Sequence, residues 1–221
     1  MLTLALDTAL PATQVALHDG SSDSTIASVS LPMLTGHAEA LLPAVEECLR
    51  QAGVSYAHLG RIGVTTGPGS FTGVRIALSA ARAMALALAV PVIGITTLDA
   101  LTRPHLGRKA AVLAVNDARR GELYAQLTAA DGTILIEPSL LTPQAVIDGL
   151  PRHAILAIGS GAGLVCALST GIVAGERSPI PEIAVIARLA ASAAPPGHPP
   201  SPLYLRAPDA KPQPPLLVAM S

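Results

Sequence analysis

The chain has 221 residues, of which 50% are hydrophobic and 13% charged, and its formal net charge at pH 7 is −1. This composition predicts an ordered globular protein with one large or two modest domains, and the charge excludes a basic surface that grips a nucleic-acid backbone unaided. Two cysteines are too few for a structural zinc site, so Cys48 and Cys166 are predicted to be buried free thiols in a reducing compartment.

The first half of the chain shows a strand pattern three times and then alternates between helix and strand. Period-2 alternation bounded by Gly, Pro or Asp predicts the strands, and apolar residues three or four positions apart predict the helices. The predicted elements are strands Leu2–Leu6, Thr13–His18 and Thr25–Leu31, helix Ala38–Gln51, strand Arg61–Thr66, helix Thr72–Ala89, strand Val92–Ile95 and the helical turn Thr97–Thr102.

A glycine-rich corner, residues 67–75, joins the fourth strand to the second long helix. Such a junction directs backbone N–H groups toward whatever precedes the helix, which favours anion binding or docking. It matches neither a Walker A loop, which ends in Gly-Lys-Ser/Thr, nor the dinucleotide fingerprint, because Thr72 replaces the third glycine. The simpler interpretation is a tight turn capped by Ser70 or Thr72. Phe71, the only phenylalanine, needs cover from a pocket or a partner.

The second long helix is apolar on nearly every side. Arg75, Ser79 and Arg82 form one polar stripe, which argues against a membrane span. We therefore expect a soluble helix that is covered by its own sheet and by a second protein. The N-terminal residues lack the basic region and cleavage motif of a signal peptide, so the chain is predicted to be cytoplasmic, with no membrane partner.

The second half repeats the order of the first. Its predicted elements are strands Ala111–Val115, Glu122–Thr128 and Thr133–Glu137, helix Pro143–Gly149, strand Ala154–Ile158, and helices Leu164–Leu168 and Pro181–Ala194. Asp7 and Asp117 each follow the first strand of a hairpin, which indicates a duplicated βββαβα unit. We predict two lobes, residues 1–103 and 104–200, with a cleft between them.

Residues 201–221 are predicted to form a proline-rich tail. Nine prolines lie between Pro195 and Pro215, a density that excludes regular helix and favours extended chain. Within this stretch, Pro202–Arg206 is an apolar island that we expect to dock on the body of the protein.

The two lobes, the paired Asp-bearing hairpins and the corner resemble the actin, Hsp70 and sugar-kinase superfamily. This resemblance implies an α/β, two-lobed ASKHA fold of duplicated ribonuclease-H-like units. Five motifs that run in order through nearly the whole chain resemble the bacterial TsaB (YeaZ) family. They are Leu4-Ala-Leu-Asp7-Thr8-Ala9, Gly67-Pro-Gly-Ser-Phe-Thr-Gly-Val-Arg75, Gly94-Ile-Thr-Thr-Leu98, Asp117-Ala-Arg-Arg-Gly-Glu122-Leu-Tyr124 and Pro202-Leu-Tyr-Leu-Arg206.

The family resemblance implies a non-catalytic partner that binds and activates a TsaD-type catalytic subunit, together with a TsaE-type ATPase. The product is N6-threonylcarbamoyladenosine at position 37 of tRNA, and tRNA is contacted only through the complex. The resemblance implies no cofactor and no metal, and a homodimer when the chain is alone. It also implies pairing through the first two long helices, and the candidate interface residues are Leu41, Leu42, Val45, Gly69, Phe71, Thr72, Arg75, Ser79 and Arg82.

The cleft leaves an enzymatic alternative open, an ATP-dependent phosphotransferase that uses Asp7 and Asp117. The candidate vestigial nucleotide-binding residues are Asp7, Thr8, Asp117, Gly159 and Gly161. The simpler interpretation of Asp7 is an Asx turn that holds the hairpin. No serine or cysteine nucleophile has an activating histidine nearby in sequence.

Two further groups of polar residues have competing interpretations. Arg119, Arg120 and Glu122 are either an interface ion-pair set or solvated turn charges. His37 and Glu39 lie near the position where the catalytic relatives hold metal-ligand histidines, but two ligands are too few for a metal site. Capping of the helix start by a carboxylate is the simpler account.

Overall fold

The first sheet of this computed structural model, which describes residues 1–151 and 154–206, has five strands in the order β3-β2-β1-β4-β5. Strand β1 pairs antiparallel with β2 and parallel with β4. The strands are β1 (Leu2–Asp7), β2 (Ala12–Asp19), β3 (Ser24–Pro32), β4 (Leu59–Thr65) and β5 (Val92–Ile95), and the helices of this half are α1 (His37–Ala52), α2 (Phe71–Leu88) and α3 (Thr97–Thr102).

The second sheet repeats this arrangement, with strand order β10-β9-β6-β7-β8. Its strands are β6 (Ala111–Asp117), β7 (Leu123–Thr128), β8 (Ile134–Leu141), β9 (Ile155–Ile158) and β10 (Ile172–Ala174), and its helices are α4 (Pro143–Asp148), α5 (Ala162–Leu168) and α6 (Ile183–Ser192). Asp7 ends β1 opposite Gln14, and Asp117 ends β6 opposite Leu123. The predicted duplication and the two-lobed α/β fold are confirmed. Strand β10 was not predicted, and β8 runs four residues beyond the predicted Glu137.

Alternating side chains along the first sheet explain how it is covered on both faces. Leu4 and Leu6 belong to the cluster packed under α1 and α2, whereas Ala5, on the opposite face, packs against Ile186 of α6. A Cβ added at Gly63 would lie 2.5 Å from Ala190 Cβ, so a residue without a side chain is needed where α6 approaches the sheet.

Helices α3 and α6 each cover the sheet of the other half. Helix α6 packs on β1, β2 and β4, and Leu98 and Leu101 of α3 pack with Val112 and Ala114 of β6. We keep residues 1–103 and 104–200 as the proposed lobe ranges. Helix α6 (residues 183–192) belongs to the second range by sequence but packs on the first sheet. The predicted tail lies outside the described residues from 207 onward.

The two cysteines have different surroundings. Cys48 lies on α1 with no exposed surface, and burial raises the pKa of its thiol to about 11. Cys166 is partly exposed, so the prediction that it is buried is wrong. Cys166 is the fifth residue of the short helix α5.

Helix α2 is the one helix within residues 1–151 and 154–206 that is long and apolar enough to cross a membrane by length and composition. A helix in a protein core passes the same test. Val74, Ala77, Leu78 and Ala81 of α2 are buried against the first sheet. The exposed side of the helix carries the polar stripe.

Candidate partner-binding surface and interlobe cleft

An open groove of about 470 Å³ lies between α1 and α2. Most of its lining is apolar, and two large apolar side chains at its border are exposed, Leu42 at 51% and Phe71 at 38%. The groove is lined by Ala38, Leu41, Leu42, Phe71, Thr72, Arg75, Ile76, Ser79 and Ala80. Monomeric proteins rarely leave such concave apolar surface open without a binding role.

The structure brings most of the predicted interface residues to this groove and places Val45, Gly69 and Arg82 elsewhere. Leu41 is 1% exposed and forms only the floor. Val45 is completely buried in the core beneath α1, so a partner cannot contact it. Gly69 lines the interlobe cleft, and Arg82 lines a neighbouring depression beside Pro196–Pro199. The helical spacing of Leu41 and Val45 predicted an apolar face, and that face points toward the sheet.

The glycine-rich corner is packed against the first hairpin turn. Ser70 caps α2 by accepting the Gly73 N–H at 3.2 Å, and the Ser70 N–H donates to the Ala9 carbonyl at 2.7 Å. A Cβ added at Gly69 would lie 2.4 Å from the Ala9 oxygen, and one at Gly73 would lie 2.0 Å from the Thr8 oxygen. The glycines therefore permit backbone contact, which supports the simpler interpretation as a capped turn.

Phe71 is partly covered by the C-terminal segment and by Arg75. The Arg75 guanidinium carbon lies 3.8 Å from the centre of the Phe71 ring, and the Phe71 and Tyr204 rings are 4.9 Å apart between centroids. Arg75 Nε also donates to the Tyr204 hydroxyl at 2.8 Å. Such stacked aromatic and cationic groups attract one another beyond their apolar contact. Tyr204 was not among the predicted interface residues, although the apolar island containing it was a signal.

A second cavity, of about 440 Å³, lies in the cleft between the lobes. Its polar lining includes His37 and Ser70 from the first half and Asn116, Asp117, Arg119 and Ser160 from the second. Asp117 is exposed there, and its Oδ1 accepts the Arg119 N–H at 2.8 Å in an Asx turn. This is the position at which the sequence predicted a nucleotide site, but Asp7 and Thr8 do not line the cavity.

Asp7 is buried beneath the first hairpin turn. Its Oδ1 accepts the Ala9 N–H at 2.8 Å and the Thr65 hydroxyl at 2.5 Å, which is the predicted Asx turn. Within the described part of the chain, Oδ2 has no hydrogen-bond partner. Burial raises the pKa of the Asp7 carboxyl, opposed by the hydrogen bonds from Thr65 and Ala9. Asp7 therefore serves the hairpin and does not present a carboxylate to the cleft.

The glycine cluster after β9 also has close neighbours, on β6 and β7. A Cβ at Gly159 would lie 2.4 Å from the Val115 oxygen, and one at Gly161 would lie 2.7 Å from Leu123 Cδ2. Ser160 between them accepts the Asp117 N–H at 2.9 Å through its hydroxyl. The cluster packs the end of β9 against β6, and only its serine borders the cleft.

Among the remaining polar candidates, His37 and Glu122 contact other residues of the chain. His37 Nδ1 is 2.8 Å from the Thr13 hydroxyl, and across the described residues no group of three or more His, Cys, Asp or Glu side chains could hold a metal. Glu122 pairs with Arg206 at 2.5 Å. Arg119 and Arg120 lie in the turn with positive φ angles of 66° and 58°.

Two lobes of one topology, with exchanged helices and a cleft between them, define the actin-like class of two-lobed α/β proteins. A family model described as TsaD: tRNA N6-adenosine threonylcarbamoyltransferase matches residues 33–158. YeaZ from Pseudomonas aeruginosa superposes with a TM-score of 0.70 at 31% identity, covering 86% of this chain and 90% of that one. The chain belongs to the TsaB (YeaZ) family.

Two curated relatives extend this comparison. An uncharacterized protein of Mycobacterium tuberculosis is 33% identical over 224 residues, covering 95% of this chain and 93% of the relative. The tRNA threonylcarbamoyladenosine biosynthesis protein TsaB of Escherichia coli is 37% identical over 126 residues, covering 56% of this chain and 53% of the relative. The match thus spans about half the length of that TsaB, and likewise 56% of a relative from Mycobacterium leprae.

Proposed function

We propose that this chain is a non-catalytic partner that binds and activates a TsaD-type catalytic subunit in the formation of N6-threonylcarbamoyladenosine at position 37 of tRNA. The observation that carries the proposal is the apolar groove between α1 and α2, with Leu42 and Phe71 exposed at its border. The name of the Escherichia coli relative supports the pathway.

The matched family model supports the choice of partner. It describes TsaD and covers residues 33–158, a range that includes both α1 and α2. Because the model of that family matches α1 and α2, we expect a TsaD-type subunit to carry an equivalent helix pair, so that two such pairs pack around a pseudo-two-fold axis. The same surface on a second copy of this chain gives an isologous homodimer when the catalytic subunit is absent.

The chemistry of the groove specifies what the partner presents. Leu42 and Ile76 need apolar side chains, and the Arg75 guanidinium at the wall needs a carboxylate. We expect a TsaE-type ATPase to join the complex, and tRNA to be bound by the assembled complex. The formal net charge of −1 agrees with a chain that leaves tRNA binding to its partners. We expect the complex to act in the cytoplasm.

Phosphotransfer is the second candidate, favoured by the 440 Å³ cavity between the lobes, whose lining includes the predicted residue Asp117. The placement of Asp7 argues against it, because a buried carboxylate outside the cavity cannot position a metal-bound phosphate. Titration of the isolated chain with Mg²⁺-ATP tests this candidate. Binding that is lost on Asp117→Ala would support it, whereas the activating-partner role needs no such binding.

The test of the proposed function is threonylcarbamoyl transfer to tRNA in a reconstituted mixture. The mixture contains the TsaD-type subunit, the TsaE-type ATPase and the enzyme that forms threonylcarbamoyl-adenylate, with and without this chain. We expect modified tRNA only when the chain is present, and none from the chain alone. Full modification without the chain would remove the proposed role.

A further inference from the structure

Residues 200–206, which we call the strap, run from the first lobe to the second. At the first lobe, the Leu203 N–H donates to the Thr66 carbonyl at 2.8 Å. Arg82 Nη2 on α2 donates to the Pro200 carbonyl at 2.5 Å. The strap therefore begins on the end of β4 and the exposed face of α2.

Two glycines of the first lobe, Gly94 on β5 and Gly67 in the glycine-rich corner, are fitted to the strap. A Cβ added at Gly94 would lie 2.6 Å from Pro200 Cβ, and one at Gly67 would lie 3.3 Å from the Leu203 oxygen. Both distances are shorter than ordinary van der Waals contact. The first lobe has thus a shaped seat for the strap, independent of the hydrogen bonds.

The strap ends on the β6–β7 turn of the second lobe. Arg206 Nη1 donates to the Ala118 carbonyl at 2.7 Å, and its Nη2 contacts Glu122 at 2.5 Å. Ala118 and Arg119 of the same turn line the interlobe cleft. A guanidinium bound to a carboxylate and a carbonyl at once is held more firmly than by a single exposed ion pair.

Tyr204, in the middle of the strap, contacts two residues that line the groove. Tyr204, 40% exposed, holds Arg75 through its hydroxyl and stacks beside Phe71, and both of these residues line the groove. Phe71 and Tyr204 are two of only four aromatic residues in the chain, one Phe and three Tyr. Aromatic and arginine side chains dominate the energetics of protein interfaces.

We propose that the strap is a positioning element of the partner-binding groove. Tyr204 holds Phe71 and Arg75 in one orientation before the partner arrives, and Arg206 fixes Tyr204 by anchoring the strap to the cleft turn. Mobile arginine and phenylalanine side chains lose rotamer freedom when a partner binds them. If Arg75 and Phe71 are already ordered, that entropy cost is smaller and the affinity for the partner is higher. The inference deepens the proposed function and rests on the TsaD-type subunit as the occupant of the groove.

Affinity of purified variants for the TsaD-type subunit, measured by isothermal titration calorimetry, tests the strap. The variants are Tyr204→Phe, Tyr204→Ala, Arg206→Lys and Arg206→Ala, with Leu42→Glu as the reference for the groove itself. We expect Tyr204→Ala to weaken binding about tenfold or more, and Tyr204→Phe less, because the ring remains. Arg206 does not line the groove, so any loss on Arg206→Ala acts through the strap.

Four further measurements separate a positioning role of the strap from a merely structural one. Arg206→Ala should speed amide hydrogen exchange in the first turn of α2 with an unchanged urea midpoint, and Arg206→Lys should restore part of the affinity. Chains ended after Ser201 and after Arg206 differ only by residues 202–206, and the first should bind more weakly than the second. Gly94→Val, which displaces Pro200, should weaken binding in the same direction.

The outcomes separate this inference from the proposed function. If Leu42→Glu abolishes binding while all strap variants bind as the unmodified chain does, the strap proposal is overturned and the groove stands. If Leu42→Glu also binds normally, the groove is not the site and both proposals fall. Loss of affinity in Tyr204→Ala and Arg206→Ala, with partial recovery in Arg206→Lys, supports the strap.

Discussion

Arg61 on β4 and Ala190 on α6 are joined by a hydrogen bond of 2.7 Å from Nη1 to the Ala190 carbonyl. The same nitrogen lies 2.9 Å from the Ala191 oxygen and 2.7 Å from the Ala193 oxygen. These carbonyls are at the C-terminal end of α6, where the helix dipole concentrates negative charge. A cation on the first sheet thus caps the helix that the second half contributes to it.

We expect Arg61→Met to lower the free energy of unfolding by about 2–3 kcal/mol, because it leaves buried carbonyls without a charged donor. Arg61→Lys keeps the charge and should cost less. Urea unfolding followed by circular dichroism measures both. Equal stability of the methionine variant and the unmodified chain would show that the cap contributes nothing.

Gly73→Ala should destabilise the fold by about 1–3 kcal/mol, as expected when a side chain is forced into a packed site. The added methyl would meet the Thr8 carbonyl oxygen, which belongs to the hairpin turn. Gly163→Ala is the matched control, because nothing lies within 4 Å of its added Cβ. In α5 that substitution should stabilise by about 0.5–1 kcal/mol. Thermal unfolding of the two variants measures both effects. A Gly73→Ala variant as stable as the unmodified chain would contradict the packing of the corner.

Asp7→Asn should make stability less dependent on pH. The raised folded pKa of Asp7 means that its contribution is fully present below the ordinary aspartate pKa and is lost as pH rises through the folded value. The asparagine variant has no such loss, so its stability relative to the unmodified chain should increase across that interval and level off above it. Urea unfolding between acid and neutral pH measures the difference, with Asp117→Asn, an exposed carboxylate, as control. A difference that stays constant with pH would argue against burial of a titrating Asp7.

Leu42→Glu should abolish self-association and binding to the TsaD-type subunit without unfolding the chain. Leu164→Glu is the matched control, since both leucines are 51% exposed and only Leu42 lines the groove. A charge in a desolvated interface is costly, whereas a charge on a free surface is tolerated. Analytical ultracentrifugation and the transfer assay measure the effect. Equal behaviour of the two variants would remove the groove from the interface.

The two thiols should differ in reactivity. Cys48 is buried with its pKa raised to about 11, so at pH 8 it is protonated and inaccessible in the folded protein. Ellman's reagent should therefore label Cys166 in the native chain and both cysteines after denaturation. Cys166→Ser should show no rapid labelling before unfolding, and rapid labelling of that variant would show that α1 opens readily.

The order of the elements could be predicted from the sequence because turn residues bound the short apolar runs of the strands and the helices have clear apolar spacing. Strand β10 could not be predicted, because its three residues, Ile172–Ala174, are too few to show a periodic pattern. The sequence pattern also could not show that α3 and α6 each pack on the sheet of the other half. An apolar helix face indicates that it is covered, but not which of two sheets covers it.

Most of the predicted interface residues line the groove, and the sequence could not separate them from the buried ones. Exposed Leu42 and buried Val45 both belong to the apolar spacing of α1, and only packing separates them. Docking of Pro202–Arg206 was predicted, but its contacts could not be derived, because Arg206 and Glu122 meet across 84 positions of sequence. Long-range polar pairs of this kind leave no periodic trace in one sequence.

The exchange of α6 sets an order of events during synthesis. The first sheet is complete once residue 95 has been made, yet the alanine-rich face around Ala5 stays uncovered until residues 183–192 have left the ribosome. At typical rates of about 5–20 residues per second, that apolar face waits for several seconds. The nascent first half therefore has a long period in which it can aggregate, and we expect it to depend on chaperones that shield growing chains.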